Sequence, residues 1–545
     1  MTKFAIKALA CLALASALGL TACDDDDVEP SSGGGGNGDG DAGGQGGSTQ
    51  GGAGGEAPVA PQISAVRAPD RDSVAITFPA LPAGVDLTAA ASYALSDVET
   101  ADPLPILEVT VDEATSVVTL HTEKQKLGRQ LRLELTVAGI VLSDDLAKVY
   151  TADTAHFWAV DQTSSTLETI DLLAERILVG DHIVMYVEQG TTPTADPQEM
   201  ADVFESQILP TETQIFGETT DVDDNGRLAV VFFEAPLTIA GYTGPWNSWS
   251  DDETFEYYGV HSNEMEIVFL SNERGSPEVL AHELNHLIYY ATYPDVPTSW
   301  RYFKEGIAEC AVNAVFGEFQ RPIDYFSQDP EGTVADGVSL VNFVATFDHY
   351  ALPYFVFSYA ASQLGGVDAY SKIFSVDGNP TQLDALFQSE LDKSLVEVMT
   401  DTWIALYVQA PTGPLGFGGL IDLQGARPAM ASDPGALALE SYGAVLVEPW
   451  TNPIDYPGTQ GPDIFYVGID AAGNVDREAP FETTGGTLLA VNGALRGGPQ
   501  AVHPATSNLI APGRRHEAEP GSYVNLHAGC DRIDDMMERR MNGLP

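Results

Sequence analysis

Between residues 61 and 155 apolar and polar positions alternate in short runs separated by turn residues. Ser73-Val74-Ala75-Ile76-Thr77-Phe78, Ile106 to Val111, Val117 to Leu120 and Leu131 to Val137 all follow a period of two. Runs of this kind at close spacing predict an all-β sandwich. From His156 the pattern changes. Ile183 to Val187 and Leu228 to Phe233 are unbroken apolar runs, as expected of strands buried on both faces, and Asn263 to Leu270 is strand-like. Val279, Leu280, Leu284, Leu287 and Ile288 then recur at helical spacing behind Ser276, a good N-cap, and Pro277, a good first helical residue. A second helix, capped by Thr298 or Ser299, is predicted through Trp300, Phe303, Ile307 and Ala311 to near Gly317, and further helices within Phe343 to Gly366 and Gln382 to Val408. After Ala410 the chain turns rich in Gly and Pro, with strand-like runs at Tyr442 to Val447, Ile464 to Ile469 and Thr487 to Val491. Cys530 to Arg540 reads as a short amphipathic helix.

These patterns predict a multidomain chain: an N-terminal all-β sandwich over 61–155, an α+β domain over 156–410 and a β or irregular region over 411–545. The α+β part should hold a mixed sheet, then a site helix and a helical subdomain. The first residues are an address instead of structure. Lys3 and Lys7 precede an apolar run, Ala8 to Leu20, too short for a stable membrane span, and Leu20-Thr21-Ala22-Cys23 follows. The segment resembles a bacterial lipoprotein signal over 1–22, with Cys23 as the lipidated residue. Residues 23–60, with fourteen glycines between Gly33 and Gly55, predict a flexible tether. The expectation is an extracytoplasmic protein, lipid-anchored to a bacterial membrane.

Charge narrows the field. The 545 residues hold 25 Lys+Arg against 79 Asp+Glu, a formal net charge of −54. Nucleic-acid binding needs a basic face, so that class is excluded, as is electrostatic attraction to anionic lipid; a salt-adapted protein fits. Cys310 and Cys530 are the two cysteines beyond the targeting segment, and two free thiols are preferred to a bridge. Asp221-Val222-Asp223-Asp224-Asn225-Gly226 starts like a calcium loop, but the twelfth position is Phe232, where a bidentate glutamate belongs. A plain Asp/Asn/Gly turn is preferred to Ca2+ there.

The chemistry gathers in Ser276 to Gly317. His282-Glu283-Leu284-Asn285-His286 is a complete H-E-x-x-H, whose histidines share one helix face and can reach one cation. Eighteen residues beyond His286 are passed before Glu305, in Lys304-Glu305-Gly306-Ile307-Ala308-Glu309, so a second helix can return a carboxylate to the metal. A catalytic zinc takes three protein ligands and keeps a position open. His282, His286 and Glu305 are the expected ligands of one Zn2+, and Glu283 the general base. Glu309, on the face of Glu305, is the expected acceptor for a ring N–H of His282. Tyr350 and His349 are candidates for the oxyanion donor by residue type and position.

The order of segments resembles the hyicolysin family of neutral metallopeptidases, among the zincins whose third ligand is glutamate. The matching pieces are the Asp221 turn and following strand, Gly241-Tyr242, Asn263 to Ile267, A-H-E-L-N-H-L-I, F-K-E-G-I-A-E, His349 to Gly366, and Asp401-Thr402-Trp403. The resemblance covers about His156 to Val408 and implies a zinc endopeptidase acting on proteins or peptides, with the ligands and base named above. Lys304 departs from the asparagine expected before the third ligand; with its side chain pointing away from the metal, it should bear on substrate preference. The strand before the site helix, Asn263 to Leu270, is expected as the edge that pairs with extended substrate. The 61–155 stretch looks like a bacterial immunoglobulin-like domain. Two other readings are an inactive surface adhesin working through that β domain and a zinc aminopeptidase; the chain lacks a G-A-M-E-N type segment, which ranks the aminopeptidase lower.

Overall fold

A computed structural model describes residues 62–501, apart from short internal stretches of which 448–462 is the longest. The lipidation candidate Cys23, the signal and tether, and the helix expected at Cys530 to Arg540 lie outside the described residues.

The first region is all antiparallel strand. One sheet orders Ala65–Arg67, Ser73–Thr77, Val117–Thr122 and Ile106–Asp112; the other orders Pro103–Leu104, Tyr93–Asp97, Gln130–Val137 and Ile140–Leu142, with Lys148–Tyr150 also on Gln130–Val137. Alternate side chains from both sheets, among them Val74, Ile76, Val118 and Leu120 with Leu95, Leu131, Leu133 and Leu135, form one buried cluster. This is what a period-two pattern produces when two sheets share one core. Lys124 reaches Glu264 at 3.2 Å and Lys126 reaches Asp224 at 2.7 Å, tying the region to the sheet that follows.

That sheet has six strands in the order Thr154–Val160, Thr169–Val179, Ile183–Glu188, Leu228–Phe233, Ile267–Ser271 and Gly241–Tyr242. Ile183–Glu188, Leu228–Phe233 and Ile267–Ser271 run parallel, and the outer pairings are antiparallel. All six residues of Leu228–Phe233 are buried. Val230 and Phe232 enter the core shared with the helices, whereas Ala229 and Val231 enter a second cluster on the opposite face. An apolar run without alternation is what two-sided burial requires. The strand Ile267–Ser271 lies inside this sheet, so the expected substrate edge at Asn263 to Leu270 is corrected: the two-residue strand Gly241–Tyr242 occupies the outer position.

Among the described residues, eight segments of α-helix follow or flank the sheet between Pro277 and Val408, and the central one, Phe347–Leu364, is buried along most of its length. The Gly/Pro-rich stretch beyond 410 is not detached from them. Its strand Gly443–Val447 pairs with Val338–Ser339 from the helical part, and Thr487–Asn492, Ile464–Ile469 and Val475–Asp476 extend the sheet. Leu446, Ile469 and Leu489 join the helical core; Val445, Tyr466 and Leu488 form a second cluster on the other face. The described residues from Gln62 to Ala501 fall in one compact unit. Among the described residues no helix is long and apolar enough to cross a membrane.

Candidate metal centre

The first site helix, Pro277–Thr292, starts as its sequence dictates: Ser276 Oγ accepts from Val279 N–H, Pro277 occupies the first turn and Glu278 faces the helix dipole. Val279 and Leu280 to Tyr289 are all buried, so the helix is enclosed, polar residues included. Its approach to the sheet depends on Gly241, where a β-carbon would stand 2.7 Å from Val279 Cγ1. The second helix, Arg301–Phe316, begins after Trp300 with no side-chain cap; Thr298 and Ser299 lie outside the described residues. Gly306, next to Glu305, is the point where this helix meets Phe347–Leu364. A β-carbon there would stand 2.3 Å from Pro353 Cβ.

This packing brings three expected residues together. Glu305 Oε2 stands 3.2 Å from His282 Nε2 and 3.3 Å from His286 Nε2. The two imidazole centroids are 4.6 Å apart at 84°, and all three side chains are fully buried. His286 Nε2, although close to Glu305, has no hydrogen-bond partner of acceptable geometry. Zinc at about 2.0–2.1 Å from each of three tetrahedral ligands would separate those ligands by about 3.3 Å. The donor set and its spacing therefore fit zinc.

Glu309, one turn beyond Glu305, puts Oε1 3.6 Å from His282 Nδ1, so His282 lies between two carboxylates. Burial pushes the His282 imidazole down, yet Glu305, Glu309 and Glu283 together leave it above the ordinary histidine value. His286 is lowered to about 4, chiefly by burial, which keeps its ring neutral and able to ligate. Glu305 is pushed up by burial but held well below the usual carboxylate range by His286, Lys304 and the hydrogen bond from His282. Glu309 rises to about 7 through burial, opposed by His282 and by Arg321 on the helix Gln320–Gln328. The Glu283 carboxylate is fully buried beside the two histidines.

The expected direction of Lys304 is corrected. Its side chain does not point away from the site; it is 6% exposed, with Nζ 3.4 Å from Glu305 Oε1 and 3.2 Å from the hydroxyl of Tyr290. In so acidic and apolar an interior a lysine is held by its neighbouring carboxylate and cannot be left facing apolar side chains. Tyr290 is one turn beyond His286, with ring centroids 6.4 Å apart. Tyr350 and His349 sit in aromatic packing: Tyr350 meets Phe343 at 5.2 Å and stacks on Phe347, and His349 faces Phe343 at 5.9 Å with Nε2 3.7 Å from Asp348.

Two features escaped the sequence reading. Glu212, on the helix Leu209–Phe216, is fully buried against Asn285 of the motif, and burial raises it well above the usual carboxylate range. Glu266 joins Asp221 and Asp223, the three carboxylates offering oxygens within 4.8 Å of one another. Those acids are largely engaged by their own turn: Asp221 Oδ1 accepts from the N–H of Asn225 and Gly226, and Glu266 from Val222 N–H and the Thr220 hydroxyl. Asp223 Oδ1 is buried with no hydrogen-bond partner, so the turn's own bonds do not engage all three acids. Cys310 is free and buried.

No family model matches the chain. The neutral metalloprotease ShpI of Staphylococcus hyicus is 24% identical over 322 residues, which is 53% of this chain and 70% of that one. A distant relative is thus a metalloprotease. Among solved structures, an M1 zinc metallopeptidase from Deinococcus radiodurans overlaps 62% of this chain and 91% of its own at 11% identity and a TM-score of 0.29. The N-terminal part of the bacterial S-layer protein SbsC overlaps 20% and 27% at 18% identity and a TM-score of 0.16. Overlaps this low set no fold.

Proposed function

We propose that the chain is a zinc-dependent endopeptidase of the hyicolysin type, carried on a lipid anchor at Cys23 outside the cytoplasm. The observation that carries the reading is the fully buried triangle of His282, His286 and Glu305, with edges of 3.2 and 3.3 Å at zinc spacing. The distant metalloprotease relative supports the same kind of enzyme. His282, His286 and Glu305 would hold the ion, which supplies Lewis-acid polarisation of the scissile carbonyl and of the attacking water. Glu283 follows His282 on the same helix and accepts the proton that the water loses, then returns it to the departing amine. Neutral His286 and ionised Glu305 are in the protonation states that ligation needs, whereas His282, raised by the carboxylates around it, would have to give up its ring proton to the ion. Glu309 orients His282 through Nδ1. Tyr350 and His349 are carried as oxyanion-donor candidates on position alone, and the β-sandwich at 61–155 as an immunoglobulin-like spacer. Purified protein should bind one zinc per chain and cleave casein, and a chelator should abolish cleavage; blocked peptides cleaved as readily as unblocked ones would separate an endopeptidase from an aminopeptidase.

A further inference from the structure

We infer that Lys304 is a positioning residue that fixes which oxygen of Glu305 faces the metal; the inference rests on the zinc reading above. Neighbouring residues on a helix do not ordinarily face each other. Lys304 nevertheless turns its chain back, so that Nζ stands 3.4 Å from Glu305 Oε1 and 3.2 Å from the Tyr290 hydroxyl, to which it donates. Nζ also lies 5.6 Å from the centre of the Tyr290 ring. The lysine is only 4% exposed, and an ammonium taken that far out of water is stable only against a partner charge.

The two carboxylate oxygens of Glu305 thereby have different tasks. Oε2 faces both ring nitrogens, at 3.2 and 3.3 Å, while Oε1 faces the ammonium. A carboxylate with both oxygens unengaged can bind a cation through the pair of them and fill the position that catalysis needs open. With Oε1 engaged, Glu305 contributes one oxygen. Tyr290 supports this from the first helix: it comes one turn after His286 and steadies the ammonium that steadies Glu305. Lys304 touches no reacting atom in this arrangement; it acts through Glu305.

The test is Lys304→Met, close in length and uncharged, beside Lys304→Arg, which keeps the charge. Zinc affinity is measured by competition with a chromophoric chelator, and kcat and KM on a casein-derived peptide. In K304M, kcat should fall about 10- to 100-fold with KM nearly unchanged and zinc affinity undiminished, and the visible absorption of the cobalt-substituted protein should weaken, as it does when coordination number rises. K304R should recover most of kcat. Wild-type kcat in K304M overturns the inference, and so does zinc affinity that falls in step with kcat, because that marks a merely structural lysine. Should K304M fail to fold, Tyr290→Phe carries the test: a lowered kcat at undiminished zinc affinity supports the role, and wild-type kcat contradicts it. A wild-type protein that neither binds zinc nor cleaves the peptide defeats the zinc reading itself, which is a separate outcome.

Discussion

Gly306 and Pro353 meet so closely that a β-carbon on the glycine would stand 2.3 Å from Cβ of the proline. This contact sets how near the helix bearing Glu305 lies to the buried helix Phe347–Leu364, and hence how far Glu305 reaches towards the histidines. Pro353 is inside a helix, where it donates no backbone hydrogen bond, yet its ring packs against the one residue type that leaves room. Gly306→Ala should therefore destabilise the fold by about 1–3 kcal/mol, the usual range for overpacking a core. Thermal unfolding checks this, and the displaced Glu305 should also weaken zinc binding. Unchanged melting and zinc affinity in G306A would show that the two helices part freely.

Glu309 is expected to act through His282. Its Oε1 lies 3.6 Å from His282 Nδ1, within the buried site, and Glu305 takes the other nitrogen. Glu309→Gln keeps the shape and removes the negative charge, so the imidazole becomes a poorer donor to the ion. Zinc affinity should fall about tenfold or more, as it does when partners of ligating histidines are changed. Chelator competition reads the effect, and affinity equal to wild type would reduce Glu309 to a packing residue.

The Asp221 turn predicts a pH effect on stability. Burial, with added repulsion from Glu266 and Asp221 and against the pull of Arg71, raises Asp223 from 3.8 to about 7. Below the unfolded value both states hold the proton and the group has no effect. Between there and about 7 the unfolded chain releases it more readily, so stability falls as pH rises; above about 7 that loss is complete. Asp223→Asn abolishes this linkage and can still accept from Asn225 Nδ2. Its melting temperature should exceed wild type at pH 8 and match it near pH 4. A melting temperature below wild type at pH 8 would mean that the ionised carboxylate is stabilised in the fold, as a bound cation would do.

What could be read from the chain and what could not divides along local and distant physics. The motif helix was legible because Ser276, Pro277 and the apolar stripe are all signals within two turns, and the unbroken run Leu228 to Phe233 announced burial on two faces. The expected strand at Asn263 to Leu270 begins at Ile267, because Glu264 adopts a positive φ of 55° and the Asn263 side chain is spent on Trp158 and Asn247. Its place inside the sheet was hidden, since the outer strand Gly241–Tyr242 is too short to show any period. In sequence Lys304 is expected to point away from the metal; only the fold reveals a tyrosine hydroxyl and a carboxylate closing over it. The pairing of Val338–Ser339 with Gly443–Val447 joins segments about a hundred residues apart, and no local pattern encodes it.

The central claim is tested most directly by Glu283→Gln, assayed for zinc content and for casein cleavage in parallel with the wild type. The account predicts one zinc per chain in both proteins, cleavage by the wild type that is lost on chelation and restored by zinc, and no cleavage by E283Q. Cleavage retained by zinc-loaded E283Q would contradict the assignment of Glu283 as the general base and the mechanism built on it.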